Sequence, residues 1–197
     1  MYSPSISRLI KALKKLPSVG ERTAERFVFH WLKSGKKEVT ELMLALKDVI
    51  ETVRSCEVCW NFSDTSPCTI CANKGRDHNA ICVVTNPQDL AAIEQTSAWR
   101  GVYHVLRTLL DVTDEDSLER MKIEELLKRG QTAKEVVLSL NPDLPGETTM
   151  MYLEKELKKI NPKIIITRLA RGLPLGSDLT YADAITLESA IKNRTKK

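Results

Sequence analysis

Four cysteines lie in one short run, Cys56-Glu-Val-Cys59, eight residues, then Cys68-Thr-Ile-Cys71. Two CxxC pairs within sixteen residues have the spacing of a tetrahedral zinc site made of two knuckles. Each pair can wrap one face of the ion, and the eight-residue loop lets the second pair close the other. Four thiolates fill the coordination shell and leave no position for a substrate, so the site reads as a structural clip. Two disulfides would use the same residues. No secretory leader precedes the run, so a reducing compartment is expected, which disfavours disulfides. Cys82 lies in the apolar run Ala80–Val84 and reads as a small buried hydrophobe. His78 would serve as a ligand only if one cysteine failed to.

The cysteines divide the chain into two textures. Before them, residues 1–37 carry nine Lys/Arg against two Glu, a net of +7, while residues 38–197 sum to −3. A positive field gathered at one end points to a polyanion partner, although a solvated helix face would show the same charge. With 197 residues and 42% hydrophobic content, the chain can bury a medium domain and one or two small modules. No apolar run reaches membrane-spanning length, so no membrane partner is expected.

Ile6, Leu9, Ile10 and Leu13 repeat at helical spacing over residues 6–15. Leu16-Pro-Ser-Val-Gly20 breaks that helix. A second follows from Glu21, with Ala24, Phe27, Val28, Trp31 and Leu32 on one face, and a third spans residues 39–53, marked by Leu42, Met43, Leu46, Val49 and Ile50. From residue 80, strand patterns (80–84, 102–106, 135–140, 163–167) alternate with helical ones (from Pro87, 124–129, 148–160, 181–192). Residues 111–125 are acid-rich and loop-like. Alternation of this kind predicts an α/β fold with a parallel or mostly parallel sheet. The basic tail with Lys192, Arg194, Lys196 and Lys197 is expected to fray.

Residues 16–26 look like a helix-hairpin-helix element. In such an element the hairpin amides and the following helix N-terminus face a DNA phosphate. Gly20 is expected to adopt an unusual φ and to allow close approach. Arg22 and Arg26, one turn apart, would grip adjacent phosphates, with Lys11, Lys14 and Lys15 adding charge. The usual pattern has glycine at both hairpin positions, and here the first is Ser18. An ordinary helical hairpin with solvated arginines is the alternative, and the +7 segment favours DNA.

Carboxylates gather near predicted strand ends: Asp89 and Glu94, Asp143 and Glu147, Asp178 and Asp183. They suit either Mg²⁺ or helix N-caps. The three histidines are scattered; His30 and His104 are expected to pack. Neither GxSxG nor a phosphate-binding GxxxxGK[ST] occurs, so nucleophilic hydrolysis and Walker-type ATP hydrolysis are not expected.

These motifs, in this order, resemble the bacterial RecR family of recombination mediators. The likeness runs through the hairpin (16–32), the cysteines (56–71), residues 80–106, residues 140–149 and Gly172-Leu-Pro-Leu-Gly-Ser-Asp-Leu-Thr-Tyr-Ala-Asp183. It implies four parts: a DNA-binding helix-hairpin-helix module (1–54), a four-cysteine zinc finger (55–75), a Toprim domain (79–170) and a C-terminal segment with a helix for oligomerisation (171–197). It further implies a non-catalytic, cytoplasmic DNA-repair factor that helps place the RecA recombinase on SSB-coated single strands. RecO- and RecF-type partners, single- and double-stranded DNA and a tetrameric ring built from dimers come with it. Gly20, Arg22 and Arg26 would face DNA, Cys56, Cys59, Cys68 and Cys71 would hold Zn²⁺, and Asp89, Asp143 and Glu147 would belong to an acidic Toprim surface.

The chain departs from the family in three places. Thr85 stands where many relatives, and Toprim enzymes, carry glutamate. Pro145 stands where many relatives have an acid. Residues 107–116 replace a glycine-rich loop. Two missing carboxylates weigh against Mg²⁺ and against the usual RecO contact. The alternative function is an Mg²⁺-dependent Toprim nuclease or strand-transferase using Asp89, Asp143 and Glu147; it lacks an evident general base. A pure docking scaffold is a third reading.

Overall fold

The computed structural model describes residues 2–111, 113–114, 116–170, 172–173 and 176–194. Lys196 and Lys197, and residues 174–175 of the C-terminal signature, lie outside the described residues. The chain forms two compact units, residues 1–53 and 54–197.

The first unit is helical. Helix α1 (Pro4–Leu13) starts two residues before its apolar pattern, because Ser3 caps it by accepting from the Ile6 amide and Pro4 fits the first turn. Helix α2 (Glu21–Ser34) ends at Gly35, whose φ of 91° lies in the region that favours glycine. Helix α3 (Lys36–Thr52) follows. Ile10, Ala24 and Val28 form a small core, lined by Ile6, Leu13 and Val19. The apolar residues that mark α3 do not join it. Leu42, Met43, Leu46, Val49 and Ile50 are exposed, and α3 buries no residue.

The second unit opens with a two-stranded antiparallel ribbon, β1 (Arg54–Ser55) and β2 (Phe62–Ser63), and a short helix α4 (Thr69–Ala72). Then come β3 (Asp77–Val84), α5 (Pro87–Gln95), β4 (Gly101–Val105), α6 (Ser117–Arg120), α7 (Glu124–Gly130), β5 (Glu135–Leu138), α8 (Leu144–Ile160) and β6 (Ile165–Arg168). A 3₁₀ turn (Leu179–Tyr181) and α9 (Ala184–Lys192) complete the described chain. The sheet order is β4-β3-β5-β6, and every pairing is parallel. Parallel strands are covered on both faces, which explains their unbroken apolar runs. Ile81, Val83, Val102, Val136 and Leu138 pack against Leu126 of α7 and Leu153 and Leu157 of α8. Cys82, Val84, Tyr103 and Val105 face the other way, onto Leu90 of α5 and onto Trp60 and Ile70 of the cysteine segment. The zinc segment therefore covers part of one sheet face.

Three expectations change here. Helix α8 begins at Leu144, not near 148. Asp143 accepts from the Gly146 amide at 2.8 Å, and Pro145 is tolerated in the first turn. Gly146 sits so tightly there that a Cβ would lie 1.9 Å from the Asn141 carbonyl oxygen. Residues 111–125 are not wholly loop, since they contain α6. His30 does not pack: it is exposed and hydrogen-bonds Glu38 at 3.0 Å.

His104 is buried in β4, as expected, and its Nε2 donates to the Lys122 carbonyl. Burial pulls its pKa from 6.5 to about 4. The unfolded chain takes up this proton first as pH falls, so stability is intact above about 6.5 and is lost progressively down to about 4. By pH 5.5 the loss from this residue is about 1.4 kcal/mol. With zinc in excess, wild type should lose that much more than His104→Gln between pH 7.5 and 5.5 in denaturant titrations. Equal losses would remove His104 as the cause.

Candidate metal centre and nucleic-acid interface

The four cysteines converge. Their sulfurs all lie within 4.8 Å of one another, and Cys59 Sγ is 3.6 Å from Cys68 Sγ. Zinc–sulfur bonds of about 2.3 Å in a tetrahedron place sulfurs roughly 3.8 Å apart, so the donors fit the ion. The Cys68 amide donates to Cys56 Sγ at 3.3 Å, satisfying a thiolate lone pair. Cys56, Cys59 and Cys68 are buried. Hydrogen bonding with Cys68 holds the Cys59 thiol far above the ordinary value, and Cys71 is pushed the same way by Cys59 and Cys68. Hydrogen bonds from Cys59 and Cys71 hold Cys68 far below it. Thiols this crowded cannot all ionise alone, and a divalent ion that takes all four as thiolates releases protons. The group is a structural zinc site. His78 plays no part; its Nε2 meets the Asn73 carbonyl at 3.1 Å.

The segment is tied to the sheet by contacts that its spacing does not announce. The Val105 amide donates to the Cys59 carbonyl at 2.8 Å. Trp60 Nε1 donates to Glu125 at 2.9 Å, and the Lys122 ammonium sits 4.6 Å over the Trp60 ring. Arg107 Nε donates to the Trp60 carbonyl at 2.8 Å, and its guanidinium lies 3.6 Å over Phe62.

In the helical unit, Arg22 and Arg26 are exposed one turn apart at the start of α2, and among the described residues neither is paired with an acid. Lys11 and Lys15 are exposed, whereas Lys14 is ion-paired to Glu21. Gly20 precedes α2 with no side-chain cap, and a Cβ there would meet nothing within 4 Å. That leaves the first amides of α2 approachable by an anion. The conformational roles in the hairpin are exchanged relative to the sequence reading. Gly20 has φ −83° and ψ 176°, open to any residue, while Ser18 takes the left-handed turn at φ 62°. Phe27 and Trp31, whose rings stack with centroids 6.1 Å apart, lie on the same helix, and a hollow between Thr23, Arg26, Phe27 and His30 lies beside them.

The carboxylates do not assemble. Asp89 closes a capping box by accepting from the Asn86 amide at 2.9 Å. Asp143 caps α8, and Glu147 pairs with Arg168 at 3.0 Å. Glu94 is ion-paired to Arg76, and Asp178 and Asp183 cap their own turns. Among the described residues only the cysteines bring three or more potential ligands together. Thr85 is buried just after β3, and among the described residues its hydroxyl has no hydrogen-bond partner. A cavity of about 580 Å³ opens at the C-terminal edge of the sheet, between Asp89, Ser139, Asn141, Arg168, Ile185 and Ser189.

Comparison with known proteins covers the chain almost end to end. The family described as RecR, helix-hairpin-helix matches residues 6–50, and the RecR zinc finger domain of the four-cysteine type matches 53–73. A Toprim domain matches 79–170, and RecR, C-terminal matches 172–195. Proteins named Recombination protein RecR are similar over nearly their whole length. That of Gloeobacter violaceus is 44% identical over 196 residues, covering 98% of both chains. That of Geobacter sulfurreducens is 44% identical, covering 99% of this chain and 98% of its own. That of Moorella thermoacetica is 42% identical, covering 98% of both.

Proposed function

The chain belongs to the RecR family, and on that premise we propose that it is a DNA-binding recombination mediator with no catalysis of its own. It helps seat the RecA recombinase on SSB-coated single strands, in the cytoplasm, together with RecO- and RecF-type partners. The observation that carries the DNA role is the pair Arg22 and Arg26, exposed beside an uncapped helix start. Guanidinium groups unpaired with acids are free to replace counterions on phosphate. Lys11 and Lys15 extend the same basic segment.

The absence of catalysis is supported by the fate of the acids. Asp89 and Asp143 each accept a helix-start amide with one oxygen, and Glu147 pairs with Arg168, so the three are held apart in separate local roles. Thr85 offers no carboxylate where a Toprim enzyme would need its general base. Assembly into a tetrameric ring is supported by apolar residues left in solvent: Leu42, Met43 and Ile50 on α3, and Ile185 and Ile191 on α9.

The test is binding to labelled single- and double-stranded DNA across a salt series, with mass measured on the same sample. With Arg22, Arg26, Lys11 and Lys15 each on a phosphate, the log–log slope on single strands should be about −3. Binding that ignores salt, or no binding in low salt, would remove DNA contact from the function.

A further inference from the structure

The zinc site carries a charge that its ligands cannot balance. Four thiolates around one divalent cation leave two negative charges uncompensated, in a site where Cys56, Cys59 and Cys68 are buried. Buried charge is costly unless paired. Two half-buried arginines stand against this site: Arg107 after β4 and Arg129 in α7. Among the described residues neither is ion-paired to a carboxylate.

Their hydrogen bonds go instead to the first knuckle and its surroundings. Three consecutive knuckle carbonyls are each met by a donor from the sheet domain. Val58 O receives Arg129 at 3.3 Å, Cys59 O receives the Val105 amide at 2.8 Å, and Trp60 O receives Arg107 at 2.8 Å. Arg129 also donates to the Tyr103 carbonyl at 2.9 Å, so one guanidinium spans the knuckle and β4. Arg107 reaches Ser55 Oγ at 3.1 Å on the other side of the knuckle. Burial pulls the Arg129 guanidinium below the usual arginine value, and the charges of Cys71, Cys59, Cys56 and Cys68 oppose that pull. For Arg107 burial acts the same way, opposed by Cys59.

We infer that Arg129 and Arg107 are the counter-cations of the zinc–thiolate centre, positioning residues that balance its charge and bind it to the parallel sheet. Zinc affinity is then set partly by residues on β4's exit and on α7, not by the cysteine segment alone. Groups outside a metal's ligand shell commonly tune affinity 10–100-fold. The inference is independent of the DNA role proposed above.

The experiment is zinc competition against a chromophoric chelator, using the full chain. Arg129→Met removes the charge and keeps the bulk; Arg129→Lys keeps the charge and loses the planar fork. Zinc should bind about 10–100-fold more weakly to the Met variant. The Lys variant should recover most of that loss. Wild-type affinity in Arg129→Met would overturn the inference. So would equal weakness in Arg129→Lys and Arg129→Met, since that pattern belongs to the carbonyl bridge and not to charge. If circular dichroism in saturating zinc shows Arg129→Met unfolded, the Arg107→Met and Arg107→Lys pair decides by the same two comparisons.

Discussion

A Cys59→Ser variant should lose its zinc, and residues 54–73 should come off the sheet with it. Cys59 is both a ligand and the residue whose carbonyl accepts the Val105 amide, so metal and sheet share one peptide unit. Structural zinc sites in small fingers contribute about 10–16 kcal/mol of apparent binding energy. A domain of ordinary stability holds only about 5–15 kcal/mol. The expected loss is on the order of 5 kcal/mol, at the extreme end for one substitution. Damage should be uneven. Trp60 and Ile70 cover Tyr103 and Val105 on one face, whereas the opposite face, built on Leu126, Leu153 and Leu157, has no contact with the cysteines in its core. Amide hydrogen exchange should therefore show protection lost at Cys56, Trp60 and Val105 and largely kept at Val136 and Leu138. Zinc retained at one per chain, or unchanged exchange at Val105, would contradict this. Chelation of the wild-type metal should reproduce the same pattern.

The second large effect belongs to the hairpin. Arg22→Ala combined with Arg26→Ala should weaken DNA binding roughly 100-fold, taking about 1.5 kcal/mol for each charged phosphate contact. The salt slope on single strands should flatten by about 1.4, the share of two phosphates. Both side chains are exposed, and the core of Ile10, Ala24 and Val28 does not include them, so thermal melting should be unchanged. Lys36→Ala with Lys37→Ala removes the same charge from the start of α3 and serves as the control. It should cost far less affinity. Equal losses in the two pairs would mean that only net charge matters, and the hairpin would lose its assigned role.

Much of this was legible in local pattern. The cysteine spacing named all four ligands, and short apolar runs and period-3.6 patterns located the four strands of the parallel sheet and most helices to within a few residues, while the short ribbon of β1 and β2 gave no such signal. The misses have separate causes. Glycine at position 20 suggested an unusual φ, but Gly20 is extended and the left-handed turn falls on Ser18. Asp89 and Asp143 looked like members of an acidic cluster. Each sits three residues from a helix amide partner, and local capping took the carboxylate first. The apolar residues that mark α3 located the helix but not its surroundings: among the described residues they stay exposed, and α3 buries none of its own.

Sequence by itself determined what neighbours in the chain can enforce: the metal and its ligands, the helical hairpin with its arginines, and a parallel α/β arrangement. These depend on spacing, periodicity and charge, each a property of short segments. Only the tertiary structure decided what touches the zinc site from afar. Arg107 reaches Trp60 across 47 residues and Arg129 reaches Val58 across 71, and no local pattern carries that pairing. It exists because the fold brings the exit of β4 and the end of α7 to the knuckle, where a buried anionic centre and the knuckle carbonyls favour cationic donors.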